Sequence, residues 1–269
     1  MPAYGVRRCR PISAGNAAGA PPASRQRPQA LIALARLRRI VMPGHPHVII
    51  HRGRSGQPVF RDSADRETYR ASLIEAARTA RVAVHAYALL PTEVRLLVSP
   101  ESEGGLADLM QAVGRRYVRS FNQKYLCTGT PWEGRFRSAV IEAGPLFLPC
   151  MRFVEGSAGI YFRADDAVLP PEWSSAGHHV GARVDSLVID HPAFWALGNT
   201  PFEREAAYRR FIERPVVDSE VAAILRAALN GWALGSAKFA AIVGERTGRR
   251  SQRAARGRPR KEGSIKIVY

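Results

Sequence analysis

The chain has 269 residues, 40 basic and 23 acidic side chains, 46% apolar residues and three cysteines. That composition supports a globular core and excludes collagen-like, coiled-coil and disulfide-scaffold classes, and no apolar run approaches the roughly 20 residues of a membrane-spanning helix. The net charge of +17 sits at the ends, with eight arginines and no acid from Met1 to Val41, and nine basic against two acidic residues from Glu245 to Tyr269.

In chain order, residues 1–34 mix Pro, Ala, Gly, Ser and Arg without apolar periodicity and read as a disordered basic extension, the alternatives being a transit-peptide-like composition or an upstream start codon with no folded role. His47 to Arg52 is an apolar-rich run closed by Gly53, which predicts a strand. Ser63 to Ala80 repeats apolar positions at Tyr69, Leu73, Ala77 and Ala80 behind Asp62 and Ser63 as possible N-caps, which predicts a helix with one core face. Val82 to Leu89 and Val94 to Ser99 are rich in β-formers and joined through Pro91, as in a hairpin.

A stronger helix is predicted from Gly105 to about Tyr125, with Leu106, Leu109, Met110, Val113, Tyr117 and Phe121 on one stripe and Arg115, Arg116 and Arg119 off it. Ser138 to Ile141 reads as a fourth strand and Leu146 to Glu155 as a third helix. The order strand, helix, strand, strand, helix, strand is the ferredoxin-like arrangement, an α+β fold with helices on one face of an antiparallel sheet. Beyond Pro170 and Pro171 the pattern is loop-rich, then helical from Phe202 to Ile212, Asp218 to Leu229 and Ser236 to Val243. The expected organisation is therefore an extension over 1–34, a body over 35–180, a small helical appendage over 181–244 and a basic tail over 245–269.

A near-neutral body with basic arms is the layout of a protein that holds a polyanion, most often nucleic acid, because each neutralised phosphate releases counterions. Trp132, Arg135, Phe136 and Arg137 interleave rings with guanidinium groups around Gly134. In single-strand sites rings stack on unpaired bases while arginines track the backbone; the competing reading is a tight turn whose Trp packs inward. Arg115, Arg116 and Arg119 are further candidate phosphate contacts. Arg256 to Lys261 reads RGRPRK, an AT-hook-like core whose Arg256 and Arg258 suit a narrow minor groove, or else a plain basic tail.

Cys9, Cys127 and Cys150 offer no C-x-x-C pair, so no disulfide framework or cysteine-rich zinc site is expected, and a reducing cytoplasm is the expected setting. His45 with His47, and His178 with His179, are histidine pairs without a third ligand at a fixed spacing, so the sequence assigns no metal.

Several segments together resemble the REP-associated tyrosine transposases, a branch of the HUH single-strand transposases. They are ARLRRIVMPG (35–44), PHV (46–48), RG (52–53), QPVF (57–60), VHAY (84–87), MQAVGRRYV (110–118), GTPWEGRFR (129–137) and CMR (150–152), with NGWALG (230–235) similar to the appendage of longer members. The resemblance implies a ferredoxin-like fold that binds single-stranded or hairpin DNA. It also implies two strand histidines and a helix ligand holding magnesium or manganese, with a tyrosine attacking a phosphate that the metal polarises.

This chain departs from that pattern at each catalytic position. The two histidine positions carry Glu93 and Arg95, the tyrosine position carries Phe153, and the helix ligand position carries Ser157. A carboxylate can bind magnesium; a guanidinium has no lone pair to offer. Residues two apart on a strand share a face, so Glu93 and Arg95 either pair with each other or leave Arg95 to grip a phosphate. Tyr117 belongs to the apolar stripe, and Tyr161 falls outside the motif's register.

The expectation is thus a cytoplasmic, nucleoid-associated protein that binds single-stranded or hairpin DNA, needs no cofactor and has lost metal-dependent cleavage, a homodimer being one assembly compatible with it. The alternatives are an active transposase using substitute residues, or a regulator that binds duplex alone.

Overall fold

The computed structural model describes residues 38–160, 173–214 and 217–252; the side chains of 157–160 are outside that description, as are the basic stretches 1–37 and 253–269, where Arg256 and Arg258 fall. Four strands form one antiparallel sheet: β1 (His47–Arg52), β2 (Val82–Leu89), β3 (Glu93–Pro100) and β4 (Arg137–Val140), in the order β2-β3-β1-β4. With α1 (Ser63–Ala80) crossing from β1 to β2 and α2 (Gly105–Tyr125) from β3 to β4, this is the ferredoxin-like order expected.

Asp62 caps α1 by accepting the Asp65 N–H at 2.9 Å. Gly53 ends β1 because a Cβ there would lie 2.3 Å from the Gln57 carbonyl oxygen, so the chain can turn only without a side chain. α1 and α2 pack on one face, where Tyr69, Leu73, Leu109, Val113 and Tyr117 meet Ile49, Leu96 and Val98.

The opposite face is covered as well, which the six-element pattern did not express. α3 (Ala143–Ile160) lays Phe147, Met151 and Val154 against Val48, Ile50 and Leu97, and the same core takes Tyr208 from α6 (Pro201–Glu213) and Ile224 from α7 (Asp218–Asn230). This explains why β1 reads VII without alternation, since a strand buried on both faces has no polar side. Two short helices, α4 (Ala176–His179) and α5 (Pro192–Trp195), lie in the stretch read as loop.

The last helix, α8 (Ala237–Thr247), closes a third small core of Ile40, Met42, Val140, Phe239 and Val243. β4 would be an open edge, but Leu234 pairs alongside it: its N–H donates to the Val140 carbonyl at 2.9 Å and its carbonyl accepts the Glu142 N–H at 2.9 Å. The helices expected as an appendage therefore share cores with the sheet and seal its edge. Among the described residues no helix is long and apolar enough to cross a membrane.

Candidate nucleic-acid interface and the substituted catalytic positions

The segment 132–136 bends through Gly134, at φ +111°, before β4 begins at Arg137, and the bend separates the residues that the sequence had grouped. Trp132 and Phe136 turn into the core while Glu133, Arg135 and Arg137 are exposed. Trp132 is 4% exposed and stacks on His51, with ring centroids 4.0 Å apart and planes at 15°. Its expected role as a platform for unpaired bases is corrected: a ring wedged among His51, Tyr69 and Tyr117 cannot also stack on a base. The inward-packing reading holds.

The outward side chains border a groove of about 470 Å³ lined by Arg39, Arg135, Arg137 and Arg249, with Glu133, Asn230 and Gly231 beside them. Arg39 is fixed in its floor, its guanidinium 3.7 Å over the Phe136 ring and its Nη2 donating to the Phe136 carbonyl at 3.1 Å. Arg249 donates from Nη1 to the Arg38 carbonyl. Among the described residues none of these four arginines is ion-paired. Burial first, then the neighbouring charges of Arg135 and Arg137, pull the Arg39 guanidinium down to about 10. Four guanidinium groups against the single carboxylate of Glu133 leave the groove strongly positive, which favours an anion between them.

Arg39 and Arg249 were not singled out by sequence reasoning. Both stood inside basic runs, and nothing in either run distinguishes the arginine that a core element carries to the groove. Arg115, Arg116 and Arg119 are exposed on α2 and none lines the groove; Arg116 is ion-paired with Glu75, its Nη2 donating to Oε1 at 2.6 Å.

Three of the positions matched through the resemblance, Glu93, Arg95 and Phe153, lie together. Glu93 and Arg95 on β3 face α3, and the Arg95 guanidinium lies 4.4 Å over the Phe153 ring with Nη1 donating to the Phe153 carbonyl at 3.3 Å. Arg95 Nε donates to Glu93 Oε1 at 2.5 Å, and Arg52, opposite Glu93 in the β1–β3 register, donates from Nε to Oε2 at 3.0 Å. Both oxygens of the carboxylate are thereby taken by guanidinium groups. The Ser157 backbone continues α3, and its side chain is outside the described residues, as is Tyr161.

This donor set does not fit a divalent cation. Arg95 and Phe153 offer no lone pair for coordination, Glu93 is already shared between two cations, and a third positive centre would sit among like charges. Tyr117 is no substitute nucleophile, since it is 1% exposed, donates its hydroxyl to the Val59 carbonyl, and has its phenol pushed far up by burial.

The histidine pair at the first strand is likewise engaged. His47 Nδ1 is 2.8 Å from the His45 carbonyl and its Nε2 accepts the Met42 N–H at 3.2 Å, so both nitrogens serve the turn before β1.

No family model and no curated protein matches the sequence. Among solved structures the chain is similar to a REP-associated tyrosine transposase bound to a REP hairpin, at 12% identity and a TM-score of 0.46, over 60% of this chain and 93% of that one. It is also similar to a protein from Deinococcus radiodurans R1 described as a transposase, at 18% identity and a TM-score of 0.30, over 40% of this chain and 87% of that one.

Proposed function

We propose that this protein binds the sugar-phosphate backbone of single-stranded or hairpin DNA through Arg39, Arg135, Arg137 and Arg249, and that it does not perform metal-dependent strand cleavage. The observation that carries the binding half is the groove itself, where four guanidinium groups without a carboxylate partner line one concavity. Phosphate contacts of this kind position a strand without reading its sequence. The preference for single strands or hairpins rests on the sequence resemblance.

The second half rests on the closed cluster of Arg52, Glu93, Arg95 and Phe153. It leaves no nucleophilic oxygen at the tyrosine position and no ligand pair for a cation.

The test is fluorescence anisotropy of labelled hairpin, single-stranded and duplex DNA between about 50 and 200 mM salt. Hairpin or single strand should bind more tightly than duplex. The double variant Arg135→Ala, Arg137→Ala should lose affinity by about 100-fold, from roughly 1.4 kcal/mol per charge-assisted contact. Its salt slope on single strands should fall by about 1.4, or 0.7 per phosphate released. Unchanged affinity in the double variant would sink the groove assignment. Incubation of the wild-type chain with manganese should yield neither nicked strand nor covalent adduct, and an adduct would overturn the second half.

A further inference from the structure

Away from the groove and the substituted cluster, α4 and the segment before α5 bring together three side chains that sequence spacing did not connect. His178 Nε2 lies 3.5 Å and His179 Nε2 3.6 Å from the same oxygen, Asp190 Oδ1. One ligand atom from each of the three residues lies within 4.8 Å of the others. Asp190 Oδ1 is shielded from solvent and accepts no hydrogen bond.

Both separations exceed a good N–H···O hydrogen bond. They match instead the edge of a tetrahedron, since four ligands about 2.1 Å from a zinc ion stand about 3.4 Å apart.

The surroundings of His179 fix which nitrogen is available. Its Nδ1 lies 2.7 Å from Glu155 Oε1, which makes Nδ1 the protonated donor and directs the Nε2 lone pair toward Asp190. Glu155 is buried and held from its other side, where the Tyr208 hydroxyl donates to Oε2 at 2.6 Å, while the Ser175 hydroxyl donates to Oε1. A carboxylate behind a histidine whose far nitrogen points at a second carboxylate is the arrangement that orients histidine ligands in metal sites. Without a cation, a nitrogen lone pair faces a shielded carboxylate oxygen. A divalent ion turns both acceptors into ligands.

His178 has one competing bond, because its Nδ1 accepts the Asp185 N–H at 3.2 Å. Coordination through Nε2 moves the imidazole proton to Nδ1 and gives up that long bond, a modest exchange against a metal–nitrogen bond.

We propose that His178, His179 and Asp190 form a zinc-class divalent metal site, with Glu155 as the positioning residue behind His179 and solvent in the fourth position. Two imidazoles and one carboxylate suit zinc. Bound there, the ion would tie α4 and the segment preceding α5 to α3, a structural staple independent of DNA binding.

The test uses the full chain, without an affinity tag and stripped with chelator, titrated with zinc against a chromophoric competitor. Expected are uptake of one equivalent at submicromolar affinity and a rise in the thermal midpoint. X-ray absorption should report imidazole nitrogen and carboxylate oxygen at about 2.0–2.2 Å. Asp190→Asn, nearly isosteric, should weaken zinc by at least about 100-fold, and Glu155→Gln by about 10–100-fold.

His178→Gln keeps the proposal testable should Asp190→Asn fold poorly, and circular dichroism of the stripped variants checks the fold. No stoichiometric uptake would overturn the proposal. So would uptake unaltered in both the Asp190 and the His178 variants.

Discussion

Glu93 is one carboxylate between two guanidinium groups, so its loss leaves Arg52 and Arg95 facing each other with little solvent around Arg95. Removing one member of a buried ion pair costs roughly 3–5 kcal/mol; with Arg52 40% exposed, the lower end applies, so Glu93→Gln should destabilise by about 3 kcal/mol in urea unfolding. Arg95→Met is the informative contrast. It keeps an apolar stem against Phe153 and leaves Glu93 paired with Arg52, so it should cost about 1 kcal/mol or less. Equal losses in the two variants would show that the cluster is held by the Arg95 contact to Phe153 rather than by charge balance around Glu93. The pairing was legible from two residues of opposite charge two apart on a strand; the third partner, Arg52, became visible only with the β1–β3 register.

At the scale of elements, most of the fold was written in local pattern. α1 spans the residues that Asp62 and the Tyr69–Leu73–Ala77 stripe predict, and α2 spans the expected Gly105 to Tyr125. α3 runs past both ends of its expected span, and Pro149 sits inside it without ending the helix. α4 and α5 have four residues each, too few for a periodic signal. The groove was half legible: Arg135 and Arg137 stood out in the sequence as candidate phosphate contacts, but Arg39 and Arg249 reach it through long-range packing of residue 38–42 and α8 segments.

α1 and α2 both terminate on a left-handed residue that is not glycine, Arg81 and Leu126, each at φ +50°. Leu126 is 79% exposed, so its side chain contributes little packing to offset the strain of that backbone. Leu126→Gly should therefore raise stability by about 0.5–1 kcal/mol, read as a higher denaturant midpoint with unchanged m-value. A loss of stability would mean that the Leu126 side chain is needed where the chain turns toward Cys127.

For the whole molecule, three buried neutral histidines set the acid limit. Burial is the largest cause in each, bringing His47, His51 and His85 from 6.5 to about 4; His47 also feels the neighbouring His45, His51 the Arg39 guanidinium and His85 the nearby His191. The unfolded chain therefore takes up protons that the folded chain refuses between about pH 6.5 and 4. Stability is fully present above that window and falls as pH drops through it. At about pH 5 each of the three has removed about 2 kcal/mol. The thermal midpoint should thus decline steeply from pH 7 to pH 5, before most carboxylates titrate. His47→Gln can still donate to the His45 carbonyl and accept from Met42, yet cannot gain a proton. It should lower stability at pH 7 but shed about a third of the decline. A midpoint as pH-dependent in that variant as in the parent would show that His47 is protonated in the folded chain, and that the turn before β1 does not depend on its neutral ring.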